Sequence, residues 1–244
     1  VVGGEVGEHY FTIMGGWTVR ELLRARPAAK PLVSTLQSHD AESLAGELAL
    51  GYGNAEGWFF PDTYAYTRGE TDADLLLRAH ALMQKQLQAA WAERVAGLPL
   101  DDPYEALVLA SIIERETGID AERPVIAGVL TLRLERRMRL QVDPTVIYGL
   151  GEAYAGDITR AYLREDTPYN TYTRYGLPPT PISLPGEPSL QAAARPQPGD
   201  FLYYVASADL DGSHVFNETL DGHNAAVAML VRSQRARNGG NSSP

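Results

Sequence analysis

Two glutamates separated by a single residue, Glu114 and Glu116, close an apolar run that begins at Ala110. Leu109, Ile112 and Ile113 recur at helical spacing, and Glu116 falls on their face, four residues beyond Ile112. Residues two apart in an α-helix are rotated by about 200°, so Glu114 is predicted to point the other way, in a supporting or merely solvated role. A carboxyl group in apolar surroundings keeps its proton to higher pH and can act as a general acid. Glu116 is therefore the first candidate for chemistry. The competing reading is a boundary glutamate that reaches water or pairs with an arginine such as Arg123, as long side chains at helix edges often do.

A second group lies in Gln141-Val142-Asp143-Pro144-Thr145. In an extended segment Gln141, Asp143 and Thr145 share one face. A capping turn, with Asp143 starting a short helix at Pro144, fits the same residues. Asp143 has the chemistry to bind a sugar hydroxyl or to serve as the second carboxylate of a glycosidase. A third group runs from Thr167 to Thr173 and from Gly176 to Ser183, mixing tyrosines, Asn170 and hydroxyl residues with prolines. Flat apolar faces with hydrogen-bonding tips suit carbohydrate, and they suit a rigid surface loop equally well; the prolines favour one fixed loop shape. His214 and His223 lack further ligands at metal-site spacing, so no metal is expected. No nucleophile elbow, Walker loop or dinucleotide fingerprint occurs, and no cofactor is expected.

These residues need helices and turns to hold them. A strand is predicted at Tyr10 to Met14, a helix start at Thr18, and a second helix over Ala41 to Ala49. The longest helix is predicted from Asp72 to about Val95, with Leu75, Leu76, Ala79, Leu82, Met83, Leu87, Ala90 and Trp91 on one face. Asp102, Pro103 and Glu105 mark the start of the helix that carries Glu116, and Gly118 its end. Another helix is read from Ala121 to Met138, with Val125, Val129 and Leu132 on one side. Phe201 to Ala206 and His214 to Phe216 read as strands joined by a turn at Asp211-Gly212, and His223 to Ser233 as a last helix. The fold class predicted is α+β, a lysozyme-like helical core with a small antiparallel β subdomain. Residues 1–50 read as a lead-in subdomain, 51–233 as the catalytic domain and 234–244 as a disordered tail.

Composition narrows the field. The 244 residues carry a formal charge of -10, which argues against a nucleic acid partner. The absence of cysteine excludes disulfides and thiolate chemistry. No apolar run of about 18 residues is present to span a bilayer. The start at Val1-Val2-Gly3-Gly4 rather than Met fits a processed form or an excised fragment.

Four segments occur in order: Glu56 to Tyr64 (EGWFFPDTY), Ala110 to Thr117 (ASIIERET), Arg139 to Gly151 (RLQVDPTVIYGLG) and Tyr169 to Ser183 (YNTYTRYGLPPTPIS). Together they resemble the MltG (YceG-like) endolytic murein transglycosylases, from about Phe11 to Arg232. The resemblance implies cleavage of peptidoglycan glycan strands between N-acetylmuramic acid and N-acetylglucosamine, leaving 1,6-anhydro ends. It makes Glu116 the single acid/base; beside it, Gln141, Asp143, Thr145, Tyr148, Asn170, Tyr172 and Ser183 are the expected substrate contacts. It also implies a location on the periplasmic face of the bacterial inner membrane, an anchor in a segment absent here, and peptidoglycan synthases as candidate partners. The alternatives are a hydrolytic muramidase using Glu116 and Asp143, and a non-catalytic glycan-binding module. One departure stands out: family members often carry Glu-Gly-Trp-Thr where this chain has Gly15-Gly16-Trp17-Thr18.

Overall fold

Side-chain caps set where several helices begin. The computed structural model describes residues 7–26 and 29–240. After strand β1 (His9–Thr12), helix α1 (Val19–Ala25) starts at Thr18, whose hydroxyl accepts the Glu21 N–H while the Glu21 carboxylate accepts the Thr18 N–H. Asp40 caps α2 (Ala41–Glu47). Strand β2 (Thr63–Tyr66) pairs antiparallel with β1, His9 opposite Tyr66. Thr71 and Asp74 form a capping box at the start of α3 (Asp72–Ala92), which begins at the predicted residue and ends short of Val95.

Helix α4 (Pro103–Glu116) begins at Asp102, which accepts the Glu105 N–H, and Pro103 sits in its first turn. Glu105 accepts from Asp101 rather than Asp102, so the expected capping box is only half formed. Then come α5 (Arg123–Glu135) and α6 (Asp143–Leu150). The next helix, α7 (Glu187–Ala194), was not legible in the sequence; its buried face is mostly alanine, which packs closely but leaves a faint apolar signal. Strands β3 (Tyr203–Ala206) and β4 (His214–Asn217) form the expected hairpin. Helix α8 (Leu220–Gly240) starts earlier than expected and continues through residues 234–240, which were read as tail; residues 241–244, like 1–6, lie outside the described residues.

The α+β class holds, with the β part divided into two separate two-stranded sheets. Helix α4 packs against α3, α5, α6 and α7. Residues Ala106 through Ile113 are all buried, because neighbours cover every side of the helix. This arrangement overturns the reading of α4 as a two-faced helix. One apolar cluster centres on α4, with Leu107, Leu109, Ile112 and Ile113 fully enclosed. A second gathers α1, α2 and the first part of α3, joins residues on both sides of position 50, and includes Leu184. In α5 the buried apolar side chains are Ile126, Ala127, Val129 and Leu130; Val125 and Leu132 are only half-buried, so the inward face lies about one residue round from that predicted.

Candidate active site

Glu116 ends α4, where the helix leaves the core. Burial is the main cause raising its carboxyl from 4.5 to about 7; the charge of Asp143 raises it further, and a hydrogen bond from the Tyr204 hydroxyl pulls it back down. That hydroxyl donates to Oε2 at 2.9 Å. Among the described residues Oε2 accepts this one hydrogen bond and Oε1 accepts none. The competing arginine pairing does not occur, since Arg123 reaches Glu114 instead.

Glu114 is enclosed rather than solvated, with its side chain only 12% exposed. Its Oε2 accepts from the Ser189 hydroxyl at 2.6 Å, the Gly186 N–H at 3.1 Å and Arg123 Nη1 at 3.4 Å. Helix α7 brings Gly186 and Ser189 against the flank of α4 that helical periodicity assigned to solvent. The Gly15 departure belongs to the same place: a Cβ added at Gly15 would stand 2.8 Å from Glu114 Oε1. A glutamate there would bring a second carboxylate against an occupied position.

Asp143 is exposed in the first turn of α6 and accepts from the Tyr172 hydroxyl at 2.6 Å. Tyr172 is affected electrostatically by both Asp143 and Glu116, so the two carboxyls and two tyrosines form one cluster. Gln141 is exposed, and Arg133 Nη1 donates to its Oε1 at 3.4 Å. The Arg133 guanidinium is held by the Leu202, Arg139 and Leu140 carbonyls behind the cluster.

Three expected substrate contacts are turned inward. The extended-face reading of residues 141–145 fails because Asp143 to Leu150 is helical, and Asp143 makes no capping bond. Thr145 is buried and bonds the Val142 carbonyl and Thr171. Asn170 is buried, with its amide nitrogen donating to the Tyr162, Leu163 and Glu165 carbonyls. Ser183 is buried and donates to the Ser111 carbonyl. These groups shape the loops and have no polar atom left for a ligand. Tyr148 is brought to a different place: it donates to Glu56 at 3.1 Å.

Glu56 is a residue that sequence reasoning passed over. It is 2% exposed, and burial raises it to about 7 against hydrogen bonds from Val19 N–H and Tyr148. It ties the start of α1 to α6. A cleft of about 560 Å³ opens here, lined among others by Arg20, Glu56, Arg115, Pro144, Tyr148 and Tyr169. Neither Glu116 nor Asp143 lines it, although Arg115 and Pro144 are their chain neighbours. The Glu116 carboxyl retains an oxygen free of protein donors among the described residues, whereas both oxygens of Glu56 are taken. Among the described residues no group of three or more His, Asp or Glu side chains is placed to hold a metal ion.

The α+β fold thus brings the enclosed Glu116 carboxyl beside a second carboxyl, Asp143, each with a tyrosine hydroxyl as its hydrogen-bond donor. The YceG-like family profile matches residues 2–229, and the chain belongs to that family. It is 33% identical over 182 residues to the endolytic murein transglycosylase of Bacillus subtilis, covering 75% of this chain and 49% of that protein. It is 30% identical over 185 residues to the enzyme of that name from Streptococcus pneumoniae, covering 73% of this chain and 33% of that one. The chain thus spans half or less of these relatives. The crystal structure of a YceG-like protein from Listeria monocytogenes superposes with a TM-score of 0.75 at 29% identity, over 89% of this chain and 75% of that one.

Proposed function

We propose that this chain is the catalytic portion of an endolytic murein transglycosylase. It cleaves the bond between N-acetylmuramic acid and N-acetylglucosamine within peptidoglycan strands and leaves 1,6-anhydro ends. The observation that carries this reading is the state of Glu116: a carboxyl raised to about 7 by burial, with one oxygen free for substrate. Protonated Glu116 gives its proton to the glycosidic oxygen as the bond to the anomeric carbon breaks. The muramoyl 6-hydroxyl then closes onto that carbon, and its proton passes to the Glu116 carboxylate. The acid is restored and no water is consumed. The names of the relatives support peptidoglycan as the substrate; a site on the periplasmic face of the inner membrane, with peptidoglycan synthases as partners, is part of the same proposal.

Asp143 supports a second reading, because it lies close enough for its charge to act on Glu116. As a nucleophile or water-activating base it would make the enzyme a hydrolytic muramidase. Digestion of purified glycan strands followed by mass analysis separates the two. Anhydro ends are expected; reducing ends, heavier by one water, would overturn the transglycosylase reading, and no cleavage would favour a glycan-binding module.

A further inference from the structure

We propose that Tyr204 is a positioning residue that decides which oxygen of Glu116 carries the catalytic proton. The inference rests on the reading of Glu116 as the acid. The Tyr204 hydroxyl faces Glu116 Oε2 at 2.9 Å and has no other acceptor among the described residues. If the carboxyl proton sat on Oε2, it would point at the phenol oxygen, and the phenol's own proton would be left buried without an acceptor. Orphaning a buried donor is costly, whereas donation from Tyr204 to Oε2 satisfies both groups. The carboxyl proton is therefore held on Oε1, the oxygen that no protein donor occupies.

The phenol is itself fixed by the end of the helix it serves. Tyr204 lies opposite Phe216 in the β3–β4 hairpin, and the His214 ring meets it edge-on at 5.6 Å. Glu122 binds His214 twice, through the backbone N–H at 2.8 Å and Nδ1 at 2.7 Å. The same carboxylate accepts from Thr117, the residue after Glu116, at 3.1 Å. Glu122 thus fastens the hairpin to the terminus of α4 and sets the distance from phenol to acid. The charged and titratable groups around Glu116 are Tyr204 from β3, Asp143 from α6 and Tyr172 from the loop, with Arg133 of α5 acting on both tyrosines.

In the reaction, Oε1 releases its proton to the leaving oxygen and later receives the proton of the 6-hydroxyl. The Tyr204 proton stays on the phenol throughout, and its hydrogen bond strengthens while Glu116 is a carboxylate. Burial and the neighbouring Glu116 push the phenol far above its usual range, so it remains a donor.

Tyr204→Phe removes the oxygen and keeps the ring. Carbon-13 NMR titration of the Glu116 carboxyl, which needs no substrate, is expected to show it titrating at higher pH in the variant, since a donor favouring the charged form has gone. Cleavage of glycan strands is expected to slow about 10- to 100-fold in kcat with little change in KM, and its alkaline limb to move upward. Difluorotyrosine placed at 204 strengthens the donor without altering the packing and is expected to move the titration downward, a test that holds even if the phenylalanine variant folds poorly. A Glu116 titration indifferent to both replacements would overturn the proposal, as would unchanged kcat in a folded Tyr204→Phe enzyme. A wild-type chain that cleaves nothing would instead overturn the functional reading, while the titration still reports on the hydrogen bond.

Discussion

Glu114 and Glu116 stand two residues apart on one helix and meet opposite surroundings. Glu114 places one oxygen among a guanidinium, a hydroxyl and a backbone N–H, three donors of this protein. Glu116 receives a single tyrosine hydroxyl, and burial outweighs that bond enough to raise it to about 7. The difference teaches that enclosure alone does not make an acid. Glu56 extends the lesson, since it too rises to about 7 but has both oxygens occupied by Val19 N–H and Tyr148. What marks Glu116 is burial together with an oxygen left open.

The comparison can be broken most decisively by exchange of the acids. Glu116→Gln keeps the shape and removes the proton donor, so glycan cleavage is expected to fall by on the order of 10³-fold with the fold intact. Equal loss of activity in a well-folded Glu114→Gln would erase the distinction between the two. Glu114→Ala is expected to act on stability instead. It takes the acceptor from the Gly186 N–H and the Ser189 hydroxyl and the longer of two carboxylate contacts from Arg123, which keeps Asp120 at 3.1 Å, a loss of about 1–3 kcal/mol measurable by urea unfolding. An unchanged unfolding midpoint would show that the α4–α7 polar cluster contributes nothing.

The pH dependence follows from the signs of the shifts. Glu56 and Glu116 titrate near 7 when folded, against an ordinary value of 4.5. Between these values the folded state binds more protons than the unfolded one. Stability is therefore expected to fall as pH rises from about 4.5 through about 7 and then level off, by at most ~3 kcal/mol for each group. Glu116→Gln is expected to remove roughly half of that slope; a stability profile that is flat in the wild type would refute the enclosure of both carboxyls. Activity that depends on protonated Glu116 declines over the same rise through about 7.

Two smaller effects sharpen the contrast. Ser189→Ala takes one charge-assisted donor from Glu114 and is expected to cost about 1.5–2 kcal/mol in unfolding experiments while leaving the pH profile of cleavage unmoved. Asp143→Asn removes a charge that raises Glu116, so the alkaline limb of activity is expected to shift to lower pH. If the same variant abolishes cleavage at every pH, Asp143 takes part in the chemistry and the hydrolytic reading gains.

Much of the scaffold was legible because its signals are local. Thr18 and Asp102 announce helices through side chains that reach backbone N–H groups three residues on, and the α3 face repeats at helical spacing. Helix α7 escaped notice because alanine gives little periodic contrast, although Gly186 and Pro188 at its start were a usable signal. In the loops, residue type suggested sugar contacts but could not give direction: Thr145, Asn170 and Ser183 face inward, while Tyr172 and Asp143 meet at the surface.

By itself the sequence determined that an acid closes the apolar helix α4, and it supplied the motif order that marks the family. Helical periodicity needs only neighbours three and four residues away. The tertiary structure alone decided that Glu114 is enclosed, because α7 covers the flank that periodicity left to water. It also decided that Tyr204 meets Glu116 across 88 residues of chain. Which groups surround a carboxyl depends on elements that are distant in sequence, and those groups, more than the residue's own face on its helix, determine whether it holds a proton.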